Sequence, residues 1–198
     1  VVVAAGLANA LKVVGKKRQR AYVVVAGAGA AGTAIAKLLV QDGFSDVVVC
    51  DSKGILADFE GLAPYKRKLA KLTNRKGRTG TLSDALKGAD ALIGVSSPGI
   101  VSAKMVKSMS SSPIIFALSN PIPEIDPKLA MQAGAKVFGT ARADLPNQIN
   151  NVLAFPGIFR GALDHKVRDI TDEMLVKAAK NLAAIIKHPN RERILPDA

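Results

Sequence analysis

With a single cysteine, Cys50, the chain cannot close an internal disulfide or build a cysteine-based metal cluster, and a reduced, cytoplasmic setting is the simplest expectation. Tryptophan is absent and aromatics make up only 4% of the residues. The core therefore has to be Val, Ile, Leu and Ala, as in buried parallel strands. The two histidines, His165 and His188, stand alone in polar surroundings with no second metal ligand beside them, which places both on the surface. Acids are also scarce: 16 Asp and Glu against 28 Lys and Arg leave a net charge of +12. The cations gather at residues 16–20, 66–71 and 75–78 without any nucleic-acid motif or stacking aromatics. A solvated basic face is expected rather than a nucleic-acid partner. The apolar opening, residues 1–14, is too short and too interrupted to span a membrane. It also lacks an initiator Met, a basic n-region and the cleavage site of a signal peptide. It reads as a buried lead-in helix ending near Gly15, and a chain that opens inside such a helix as a piece of something longer.

What the chain does have is 198 residues, 48% of them hydrophobic, enough for one domain with a substantial core. Its strongest local signal is residues 22–32, YVVVAGAGAAG. Val23, Val24 and Val25 form the β-branched run of a strand buried on both faces. Three glycines follow as Gly27-x-Gly29-x-x-Gly32, and residues 33–40 read as a helix. In such a strand–turn–helix the first glycine permits the tight turn and the second lets backbone approach a pyrophosphate. The third lets helix and strand pack closely. The free N–H groups and positive end of the helix then face the anion. Asp51 closes the second apolar run, VVVCD, where a carboxylate accepts hydrogen bonds from the ribose of a dinucleotide.

Further strands are expected at 47–50, 91–95, 113–118 and 136–139, with residues 51–54 as a turn. Residues 55–71 read as a polar connection with helical pieces and 73–80 as an exposed loop. Helices are expected up to Leu86 (capped by Thr81 or Ser83), from Ser102 to Met109, at 127–133, at 152–163 and at 171–187. This alternation predicts an α/β, Rossmann-like, doubly wound and mainly parallel sheet with helices on both faces. Its strand C-terminal ends would gather small and polar residues where such a sheet binds its ligand.

Asn120 emerges at a strand end just before Pro121, and Asn150 and Asn151 close the run DLPNQINN. Asparagines cap and turn chains often. A neutral amide with donors and acceptors also suits a carboxylate or a carboxamide, though never acid–base work. Ser96 and Ser97 either touch a ribose or cap a helix, and Arg142 and Asp144 either pair or take part in chemistry. Cys50 is expected to be packed rather than nucleophilic. The acid pairs Asp58 with Glu60 and Glu124 with Asp126 are spaced for a cation, yet nothing anchors either, so both are expected to be solvated. No residue offers a convincing acid or base for hydride chemistry. Three alternatives stay open on these residues: the cofactor domain of an amino-acid-type dehydrogenase, a non-catalytic dinucleotide-sensing module, and a nucleic-acid-binding domain.

Longer segments carry a resemblance. DSKGIL (51–56), FALSNPIPEI (116–125), DLPNQINNVLAFPGIFRGALD (144–164) and the opening AGLANALKVVGKK (5–17) together resemble the malic enzymes, bacterial or archaeal type, in register over nearly the whole chain. The resemblance implies oxidative decarboxylation of L-malate to pyruvate and CO2, with reduction of NAD or NADP and a divalent Mg or Mn ion. It implies that Gly27, Ala28, Gly29, Ala30, Ala31 and Gly32 hold the pyrophosphate and Asp51 the adenosine ribose. Val95 and Ser96 would line the cofactor cleft, while Asn120, Asn150 and Asn151 contact nicotinamide and malate. The family's general base, its acid and its metal ligands have no counterpart here. Residues 1–198 therefore resemble the cofactor domain, with 1–15 as lead-in helix and the N-terminal catalytic, metal-binding domain absent. The family is oligomeric, so a homo-oligomer is implied too. Asp51 favours NAD by repelling a 2′-phosphate, whereas Ser52 and Lys53 beside it could receive one.

Overall fold

A computed structural model describes residues 1–58 and 61–197. Six strands form one sheet in the order β3-β2-β1-β4-β5-β6. They are β1 Tyr22–Ala26, β2 Asp46–Asp51, β3 Gly54–Ile55, β4 Ala91–Gly94, β5 Ile114–Ala117 and β6 Val137–Thr140. Every pairing is parallel except β2 with β3. The chain runs outward from β1 to β2, then returns to lay β4 on the other side of β1. The reversal point of the doubly wound sheet therefore falls between β1 and β4, beside the glycine turn.

Alternation along the strands supplies two cores. Val23, Val25, Val49, Ile93 and Phe116 face α1 (Val2–Val13), α2 (Ala30–Gln41) and α8 (Asp172–Ala184), with Leu7, Leu39 and Leu182 packed against them. Val24, Val48, Leu92 and Ile115 face α4 (Leu82–Leu86), α5 (Ala103–Lys107) and α6 (Pro127–Gln132). Both faces of the sheet are covered, which is why the strands read as continuous apolar runs. The lead-in helix α1 is stitched in place by Asn9, whose buried Nδ2 donates to the carbonyls of Ala183 and Ile194, each at 2.9 Å.

Two local expectations are corrected, and a third, helical pieces in the polar connection, is met. Residues 51–54 do not merely turn; they reverse the chain so that Gly54–Ile55 adds an antiparallel edge to β2. The polar connection holds a helix, α3 (Pro64–Thr73), with proline in its first turn, where its missing N–H costs nothing. The helix expected at 152–163 divides into a 3-10 turn, Asn151–Leu153, and α7 (Phe155–Asp164). Pro156 starts α7 afresh because proline fits a first turn and disfavours helical backbone before it. Helices α5 and α8 also end earlier than expected, at Lys107 and Ala184.

Candidate dinucleotide site

The site is built from strand ends. The ladder continues past the named strands: Gly27 N–H donates to Cys50 O at 2.8 Å, Val95 N–H to Ala26 O at 2.9 Å and Leu118 N–H to Gly94 O at 3.0 Å. Beyond β6 the loop folds back, and Ile149 N–H donates to Thr140 O at 2.7 Å. The glycine turn, Asp51, Val95–Ser96, Asn120 and Asn150–Asn151 consequently all lie at or beyond C-terminal strand ends on one edge of the sheet.

The three glycines do different things. Gly27 has φ +126°, and a Cβ there would lie 2.5 Å from the Val95 carbonyl oxygen. A Cβ on Gly32 would collide with the Gly27 carbonyl oxygen, so α2 seats on the turn only through glycine. Gly29 has nothing within 4 Å of its Cβ position and stands at the N-cap of α2 without a side-chain cap. It is exposed together with Ala30 and Ala31, while Ala28 is buried beneath. The first-turn N–H groups of a 12-residue helix thus open onto an uncapped mouth, a ready site for an anion.

Asp51 is already engaged. Its Oδ2 accepts from Lys66 Nζ at 2.6 Å and its Oδ1 from the Lys53 N–H at 2.8 Å. Partial burial works against ionisation, but these bonds and the two lysine charges outweigh it and hold the carboxyl below the usual carboxylate range. Lys66 is raised in turn, first by its hydrogen bond to Asp51. Lys66 was not singled out in the sequence; its only signal there is one cation among several on a basic helix. Ser52 and Lys53 are exposed at the same corner.

The capping question divides the asparagines. Asn150 caps the 3-10 turn, its Oδ1 accepting from Val152 N–H at 3.1 Å. Asn120 and Asn151 cap nothing, and both are exposed. Ser96 and Ser97 cap no helix either, since α5 is capped by Ser102. Asn147, read only as part of a polar run, is a buried stitch: its amide donates to Phe138 O and Arg191 O and accepts from Ile194 N–H.

Glu124 overturns the expectation of a solvated acid. Its relative exposure is 0%, with Oε1 accepting from Ser96 N–H at 2.9 Å and Oε2 from Ser119 N–H at 3.1 Å. Asp126, its supposed companion, is the N-cap of α6. Asp58 pairs with Arg67 at 2.6 Å, and Glu60 lies outside the described residues. Among the described residues no group of three or more His, Cys, Asp or Glu could hold a metal ion. Arg142 and Asp144 pair at 2.6 Å, and His165 and His188 are exposed. Cys50 is buried, and that burial, with the Asp51 charge beside it, pushes its thiol up to about 12, far from nucleophilic. The three basic segments spend many of their cations on acids: Lys16 on Asp90, Arg18 on Asp42, Lys66 on Asp51, and Lys76 and Arg78 on Asp46.

A glycine turn at the sheet's reversal point, an uncapped helix mouth and exposed amides thus lie on one edge of the sheet; the comparisons with known proteins identify the family. A family profile described as "Malic enzyme, NAD binding domain" matches residues 1–198. The bifunctional malic/malolactic enzyme of Bacillus subtilis is 50% identical over 188 residues, covering 94% of this chain and 46% of that protein. The NADP-dependent malic enzyme of Halomonas elongata is 41% identical over 199 residues, covering 98% of this chain and 46% of that protein. A crystal structure of the NAD-dependent malic enzyme of Thermotoga maritima matches with a TM-score of 0.95 at 46% identity, covering 100% of this chain and 52% of that one. The chain spans about half the length of these relatives. The Rossmann-like fold and the resemblance read from FALSNPIPEI and DLPNQINN both hold: this chain belongs to the NAD-binding domains of the malic enzymes.

Proposed function

We propose that the chain is the cofactor-binding part of an enzyme that oxidatively decarboxylates L-malate to pyruvate and CO2. The observation that carries this is the pairing of an uncapped helix mouth after Gly29 with the exposed, uncommitted amides of Asn120 and Asn151 on the same edge. The N–H groups at the start of α2 bind the pyrophosphate, and Asp51 accepts from the adenosine ribose. The bound dinucleotide supplies the hydride acceptor. Asn120 and Asn150 would contact the nicotinamide, and Asn120, Asn150 and Asn151 would hold malate, through neutral amides that donate and accept hydrogen bonds. Val95 and Ser96 line the cofactor cleft. Among the described residues no group of three or more His, Cys, Asp or Glu could hold a metal ion, and the acid, the base and the Mg or Mn ligands are assigned to the other half of the enzyme. Residues 1–198 then form one cofactor domain, with 1–15 as its lead-in, working against that half and within a homo-oligomer. No described helix is long and apolar enough to cross a membrane, and one buried thiol suits a reducing cytoplasm.

NAD is the preferred dinucleotide in this account, because an ionised Asp51 repels a 2′-phosphate. Lys66 and Lys53 temper that repulsion, leaving NADP as a weaker alternative. Calorimetric titration with each dinucleotide at moderate salt tests both points. Saturable binding with NAD ahead supports them, and binding of neither refutes the cradle.

A further inference from the structure

Among the described residues, Glu124 is a fully buried carboxylate that the chemistry above does not use. It lies in the loop that leaves β5, the loop that also carries Ser119 and Asn120, and its two oxygens reach both sides: one takes the N–H of Ser96 in the loop after β4, the other that of Ser119 five residues earlier in its own loop. Its own backbone joins the same clasp, since Val101 N–H donates to Glu124 O at 3.0 Å and Gly99 N–H to Pro123 O at 3.1 Å. A weaker contact, Ser119 Oγ to Ser96 O at 3.4 Å, closes the pair of loops above it. Room for the side chain exists only because residue 94 is glycine, where a Cβ would collide with the Glu124 carboxyl carbon.

Such an arrangement is expensive. A buried carboxylate is ordinarily matched by a cation. Glu124 takes part in none of the ion pairs found among the described residues; backbone N–H groups alone satisfy it. Neighbouring parallel strands need no acid to hold them together, as the β4–β5 ladder is already complete. What the carboxylate adds is a fixed distance between the loop that carries Ser96 and the loop that carries Asn120.

We infer that Glu124 is a positioning residue, the clasp that holds Ser96 and Asn120 at the spacing a bound nicotinamide riboside requires. This rests on the dinucleotide site proposed above. Glutamine at 124 keeps the shape but has one acceptor oxygen, so one of the two N–H groups would face an NH2. Methionine keeps the volume and satisfies neither.

The test uses the complete enzyme carrying this chain, with Glu124→Gln and Glu124→Met, assayed well below their melting temperatures. Dinucleotide dissociation constants are expected to rise about tenfold for Glu124→Gln and further for Glu124→Met, in line with losing hydrogen bonds to a charged group. A merely structural acid would lower thermal stability and leave affinity within about twofold, and that result overturns the inference. If the unmutated enzyme binds neither NAD nor NADP, the dinucleotide site itself fails, an outcome separate from unchanged variants. Amide exchange in the unmutated enzyme gives a second readout that needs no variant to fold. Ser96 and Ser119 N–H should exchange at least about tenfold more slowly than the Ser97 N–H, because an amide hydrogen-bonded to the buried Glu124 carboxylate exchanges only on opening. Equal rates refute the clasp.

Discussion

Replacing Lys66 with methionine should sharpen the choice between NAD and NADP. The Lys66 ammonium lies 2.6 Å from Asp51 Oδ2, and both side chains are largely shielded, at 24% and 12% exposure. Removing it leaves Asp51 with only the Lys53 N–H. The bared carboxylate still accepts from a ribose diol, so NAD affinity changes little. A 2′-phosphate brought against it meets an unscreened like charge. Two unit charges about 5 Å apart interact by roughly 1 kcal/mol in water and roughly 3 kcal/mol at the effective dielectric of a protein surface. At a corner open to solvent the smaller value governs, which is about a fivefold loss for NADP relative to NAD. Titration calorimetry of both forms with each dinucleotide measures the ratio. Repeating it at high salt should shrink the effect, since exposed charges are screened. An NAD-to-NADP ratio unchanged within about twofold at low salt would refute the role given to this ion pair.

Gly32→Ala drives a methyl into the Gly27 carbonyl, so it should cost about 1–3 kcal/mol in overpacking. For a domain of this size that lowers Tm by about 2–4 °C per kcal/mol, and dinucleotide binding should fall with it; a variant that melts and binds like the parent contradicts the close seating of α2. Asn151→Ala in the complete enzyme should raise the KM for malate at least about tenfold, the effect of losing one hydrogen bond to a charged substrate, with thermal stability unchanged. Unchanged malate kinetics would remove Asn151 from the site. Stability should fall on acidification. Asp90 and Asp46 are partly buried, which opposes ionisation, yet Lys16, Ser110 and the Tyr22 N–H hold the first low, and Arg78 with Lys76 the second. With Asp51 they keep folded-state values below 3.8, so the unfolded chain takes up protons first as pH drops from about 5, and stability drains away. Asp42 works the other way, because burial outweighs Arg18 and raises it. Asp58, Asp84 and Asp144, exposed but each beside a cation, are held low as well, so six lowered carboxylates against one raised predict a urea midpoint that declines between about pH 5 and pH 3; a rising midpoint would contradict the sign.

The sheet was legible because its strands are buried on both faces, so runs such as VVVA and VVVC announce themselves without help from partners. The two-residue edge strand Gly54–Ile55 carries no such run; only the reversal after Asp51 creates it. Asn120, Asn150 and Asn151 were visible as candidates, but sorting the capping amide from the free ones required the turn at Asn151–Leu153. Glu124 and Lys66 were not visible as site residues. A buried acid and a surface acid look alike in a sequence, and what decides Glu124 is a neighbouring strand that happens to end in Gly94. Lys66 reaches Asp51 across fifteen residues of connection, a meeting that no local pattern encodes. The basic clusters, conspicuous in the composition, turned out to be partly spent on acids from distant elements, as with Lys16 and Asp90.

The most direct test of the cradle is a crystal structure of the protein with NAD bound. The account predicts the pyrophosphate against the N–H groups that follow Gly29, the adenosine ribose at Asp51, and the nicotinamide between Ser96 and Asn120. A dinucleotide bound elsewhere, or a strand edge that stays empty at saturating NAD, would contradict it.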